Sequence, residues 1–127
     1  MTDWVTKQVD LLRTQWPDLS YLDAGHWMLL PGWNLPTGWS VATVDVAFQI
    51  RPDRETPPYA FYVNSRDLTH NGTTPGNWTM SAEVPFPGTW SVFSWGPETW
   101  MPTVDPDRGP NMLGFARSFE NRFAEGA

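Results

Sequence analysis

Proline and glycine recur so often between Pro17 and Pro110 that no long helix fits there. The chain carries 13 prolines and 10 glycines in 127 residues. Proline has no backbone N–H to give a helix or an inner strand, and glycine favours turns. The middle must therefore consist of short elements joined by turns, and helices are confined to the two ends.

Both ends carry the spacing of a helix. Val5, Val9, Leu12 and Trp16 recur at intervals of four, three and four, one face of a 3.6-residue helix. Thr2 or Asp3 can cap that helix, and Pro17 stops it. Met112, Phe115 or Ala116, Phe119 and Phe123 repeat the pattern beside Leu113, with Gly126 as a stop. Between them, Val44, Val46, Phe48 and Ile50 alternate with Asp45, Ala47, Gln49 and Arg51, the period of a sheet buried on one face. His26–Leu30, ended by Pro31-Gly32, Tyr59–Val63 and Trp90–Trp95 read as further strands. Trp33–Trp39 reads as an ordered loop; the polar stretch from Asn64 to about Gly88 shows no clear element, which means either a long functional loop or an element that the pattern does not reveal. The expectation is a single α+β domain over residues 1–127: helix, four-stranded antiparallel meander, long loop, helix.

Nine tryptophans and seven phenylalanines supply the apolar area that a modest aliphatic content would not. A net charge of −6 argues against a nucleic-acid surface. No apolar run reaches the roughly 18 residues of a membrane span, and no leader-like start is visible, so a cytoplasmic location is expected. The absence of cysteine closes disulfide, thiolate-metal and thioester chemistry. No metal-ligand spacing or phosphate-binding glycine loop occurs, so neither a metal nor a cofactor is expected.

The candidates for chemistry are few. His26 heads an apolar strand, where a structural role fits. His70 lies in the polar stretch near Asn64, Asp67, Asn71, Thr73 and Thr74, and could act as a base for a hydroxyl. Trp33, Trp39, Trp78, Trp90, Trp95 and Trp100 sit in or beside loops. They either plug the ends of a small sheet or form a contact patch, since tryptophan is enriched at interaction hot spots. A small acidic domain with loop-borne rings and no reactive group reads as a binding module before an enzyme.

The order of several short motifs adds a resemblance. Leu-Leu-Arg-x-x-Trp-Pro-x-Leu runs from Leu11 to Leu19, and Leu-Leu-Pro-Gly-Trp-Asn-Leu-Pro-x-Gly-Trp from Leu29 to Trp39. Asp45-Val46-x-Phe48-x-Ile50-x-Pro52, Pro57-Pro58, Phe61-Tyr62-Val63, Trp90-x-x-Phe93-Ser94 and Trp100-x-Pro102 follow. Together they resemble family E of the bacterial ubiquitin-conjugating-enzyme-like (UBC-like) proteins, with Gly72 to Gly88 least matched. The resemblance implies the UBC-like fold: an N-terminal helix, a four-stranded antiparallel meander, an active-site loop and C-terminal helix. It also implies partners: a ubiquitin-like protein, a ThiF-type activating enzyme and a JAB-like peptidase, in a protein-modification pathway of phage defence. Conjugating enzymes hold the modifier on a loop cysteine, assisted by an asparagine; this chain has no cysteine, and Trp95-Gly96 stands where a histidine is expected. The expectation is a non-catalytic adaptor that docks the modifier or its activating enzyme through Asn64, Asp67, Trp78, Trp95 and Trp100. The alternative is an enzyme that carries the modifier as an oxyester on Thr73, Thr74 or Ser81, with His70 as base. A third reading, without the resemblance, is a scaffold that self-associates through its tryptophans.

Overall fold

The computed structural model describes residues 3–53, 55–97, 99–101 and 109–127. Thr2, proposed as a cap, lies outside them, and Asp3 is the first residue of the helix rather than its cap. Helix α1 (Asp3–Arg13) is followed by strands β1 (Ser20–Leu22), β2 (Trp27–Asn34), β3 (Thr43–Gln49), β4 (Phe61–Val63), β5 (Trp78–Ala82) and β6 (Trp90–Phe93), and then by helix α2 (Met112–Glu125). The molecule is a mixed α+β structure, with one antiparallel sheet of order β1-β2-β3-β4-β6-β5 and its two terminal helices in contact with each other.

The sheet corrects the four-stranded meander in three ways. Pro31-Gly32 does not end β2. The register slips between Leu30 and Trp33, and the strand continues to Asn34. Gly32 takes φ 68°, and its N–H, lost to the ladder, donates to Asp45 Oδ1 at 3.0 Å. A breaker pair thus becomes a bulge. Second, Ser20–Leu22 adds an edge strand too short to show a period. Third, Trp78–Ala82 forms the opposite edge inside the stretch expected to be a loop. It pairs with β6, which inserts beside β4, so the last two strands form a hairpin docked by its second strand.

Side-chain alternation builds the core. Met28, Leu30, Val46, Phe48, Phe61, Val63 and Phe93 are fully buried and turn to α2. Phe119 of α2 lies 4.3 Å from Phe61 and 5.5 Å from Phe48 between ring centroids, and Phe123 lies 5.9 Å from Phe93. Trp27 and Tyr62 turn to the other face, 5.1 Å apart edge-on, where Phe86 packs against Trp27 and Trp90. Helix α1 contributes Val5, Val9 and Leu12 to the main cluster as its spacing predicts. It also contributes a fully buried Gln8, whose Oε1 accepts from Met112 N at 2.7 Å and so ties α1 to the start of α2.

Helix α2 has both ends satisfied. Asn111 Oδ1 accepts from Gly114 N at 2.8 Å, and Gly126 closes the helix at φ 87°, the left-handed conformation that glycine adopts without a Cβ penalty. No helix among the described residues is long and apolar enough to cross a membrane.

Candidate functional site

The described structure sorts the candidate residues into three places. The first is a cleft of about 160 Å³ beside the N-terminal half of α2. Trp95, Pro97 and Trp100 come from the segment after β6, Pro110 from the residues just before α2, and Gly114 and Phe115 from its first turn. Trp95 stacks on Phe115 with centroids 5.6 Å apart and planes 7° from parallel. The Arg122 guanidinium lies 5.8 Å from the Trp95 ring on the helix side, within cation–π range. Gly114 offers no side chain, which leaves the floor open at the cost of a helix-weakening residue. Ser118 lines the cleft too, but its hydroxyl donates back to the Phe115 carbonyl. Thr99 also lines the cleft, beside the rings and prolines that make most of its surface, and such a surface can bury an apolar side chain.

The second place is the turn around His70. Asn71 and Gly72 have φ 52° and 77°, the positive pair of a type I′ turn, and His70 and Thr73 exchange backbone hydrogen bonds at 2.9 and 3.0 Å. Thr73 Oγ1 donates to the His70 carbonyl at 2.9 Å. The His70 ring turns instead to Trp39, with centroids 4.9 Å apart. Among the described residues no hydrogen bond joins that ring to Thr73, Thr74 or Ser81, and Ser81 lies on the β5 edge. Trp39 in turn donates from Nε1 to the Phe123 carbonyl at 2.9 Å, so this corner locks the turn to the end of α2.

The third place is the β3–β4 junction. Asn64 Oδ1 accepts from Asp45 N at 2.7 Å, and its Nδ2 donates to Asp45 Oδ2 at 3.2 Å. Since Asp45 also accepts from Gly32, one carboxylate braces the bulge of β2 and the end of β4. Asp67 is exposed and its carbonyl accepts from Ser40 Oγ. Trp78 is half-buried on β5 against the core and does not line the cleft. Of the five binding candidates, only Trp95 and Trp100 meet.

His26, outside these places, ends the β1–β2 turn at φ 55°. Its Nδ1 is 2.7 Å from the Tyr21 hydroxyl, which also donates to Asp23 Oδ1 at 3.3 Å. Burial, and then the Asp23 carboxylate, oppose the phenolate and raise the Tyr21 pKa above the usual tyrosine value. Folded Tyr21 keeps its proton to higher pH than the unfolded chain, so its contribution to stability is present below about pH 10 and declines as pH rises further. Spectrophotometric titration should show a late phenol ionisation that Tyr21→Phe removes.

Comparison with family models, curated proteins and solved structures found no match for this chain. The floor of the cleft, Gly114 and Phe115, carried a sequence signal only as a helix face; nothing local pointed it at Trp95.

Proposed function

We propose that this chain is a non-catalytic adaptor of UBC-like ancestry, in which two edge strands have been added to the four-stranded core. It works in the cytoplasm, where it docks a ubiquitin-like protein or its ThiF-type activating enzyme in a modification pathway of phage defence. A JAB-like peptidase acts in the same pathway. The observation that carries the reading is the meeting of Trp95 and Trp100 over Phe115 in one apolar cleft. The lack of cysteine supports it, because a thioester carrier needs a thiol. The motif order supports the choice of partners.

Binding energy at protein interfaces concentrates in a few desolvated aromatic anchors, each worth about 2 kcal/mol or more. Trp100→Ala should therefore weaken the complex about 30-fold while leaving the far-UV spectrum unchanged. The test is calorimetric titration of purified protein with a ThiF-type activating enzyme and a ubiquitin-like modifier. Micromolar binding, weakened about 30-fold in Trp100→Ala, supports the adaptor; no binding of the wild-type protein to either partner at that concentration overturns it. A hydroxylamine-labile adduct would replace it with the oxyester enzyme.

A further inference from the structure

A second groove lies on another face of α2, and it carries a charge that the Trp95 cleft lacks. Two adjoining hollows of about 210 and 270 Å³ share Trp33, Asn34 and Glu120. The first is closed by Trp16, Pro31 and Gly32, the second by Leu35, Pro36 and Phe123. The β2 bulge makes this possible: by carrying the strand past Pro31-Gly32 it sets Trp33 against the core, 8% exposed, with Trp16 stacked on it at 5.6 Å and 26°.

Glu120 is exposed and lines both hollows, and among the described residues its carboxylate has neither an ion-pair nor a hydrogen-bond partner. The nearby arginines of α2 are engaged elsewhere. Arg117, one turn before, donates from Nε and Nη2 to Gln15 Oε1 at 3.0 and 2.8 Å. Arg122 pairs with Glu125 at 2.9 Å. A carboxylate without a cation, beside a stacked indole pair, is complementary to a flat cation. A guanidinium can lie on an indole face and donate two parallel hydrogen bonds to a carboxylate, which an ammonium cannot. The second hollow adds Leu35, Pro36 and Phe123 to the shared Trp33, Asn34 and Glu120, and its apolar side would take the side chain next in the ligand's chain. The net charge of −6 favours the approach of a basic segment.

We propose that the Trp16–Trp33–Glu120 groove binds the arginine side chain of an arginine–apolar pair in a turn segment of a partner protein, where neighbouring side chains can reach the same face. This does not rest on the adaptor reading, and it holds or fails whatever the Trp95 cleft binds.

The probe is the peptide acetyl-Gly-Arg-Leu-Gly-amide, titrated into 15N-labelled full-length protein, with the lysine-for-arginine and glutamine-for-arginine peptides as comparisons. The expected result is saturable shifts of the Trp16 and Trp33 indole N–H signals. The lysine peptide should bind more weakly and the glutamine peptide should give no saturation. Glu120→Gln should weaken the arginine peptide about five-fold, the size of a solvent-accessible charge pair. Glu120 is exposed, so that variant should keep the wild-type melting temperature. Equal binding of the arginine and lysine peptides, undiminished binding to Glu120→Gln, or shifts that avoid both indoles would each overturn the proposal.

Discussion

Phe61→Ala should destabilise the fold by about 3–5 kcal/mol, the range for truncating a fully buried phenylalanine. Phe61 is 0% exposed and lies between Phe93 at 5.0 Å and Phe119 at 4.3 Å, both stacked within 24° of parallel. Sheet and helix meet through that ring, and its loss leaves a cavity that neither stiff strand nor capped helix can collapse into. Urea unfolding at neutral pH would show the transition midpoint falling with little change in slope. Tyr59→Ala, two residues away but 57% exposed, should shift stability by no more than about 0.5 kcal/mol. Equal effects at the two positions would contradict the packing.

Trp39→Ala should cost a comparable amount, about 3–5 kcal/mol, for a different structural reason. The indole packs against Phe93, Phe123 and His70 at 6.0, 5.6 and 4.9 Å and donates to the Phe123 carbonyl. It therefore ties the loop after β2 and the His70–Thr73 turn to the end of α2. Its removal should also speed amide exchange at His70 and Asn71, whose N–H groups bond to Thr73 and Gly38. Trp39→Phe keeps most of the area and loses the N–H donor, and so should recover more than half of the cost. A stable Trp39→Ala protein with unchanged exchange at these amides would show that the corner is not held by the indole.

Helix α2 and strand β3 were legible because their periods are local: Phe115, Phe119 and Phe123 mark one face of a helix, and Val44, Val46 and Phe48 one face of a strand. Pro31-Gly32 misled because the same two residues serve a stop or a bulge, and only the Asp45 carboxylate thirteen residues on decides between them. Strand β5 was hidden because its side chains are half-buried or exposed, leaving no apolar alternation from Trp78 to Ala82. The site was legible by halves. Trp95 and Trp100 stood out as loop aromatics, whereas Phe115 reads as ordinary helix core until the fold stacks it on Trp95. His70 and Thr73 looked like a base and its hydroxyl, but a tight turn joins them through the backbone and sends the ring to Trp39.

Recognition without covalent carriage is the central claim, and intact-mass spectrometry tests it most directly. The protein is incubated with ATP, a ThiF-type activating enzyme and a ubiquitin-like modifier, and its mass is read alongside a native measurement of complex formation. The account predicts an unchanged chain mass together with a complex that Trp100→Ala weakens about 30-fold. A gain equal to one modifier, removed by hydroxylamine and absent when Thr73, Thr74 or Ser81 is replaced by alanine, would contradict it.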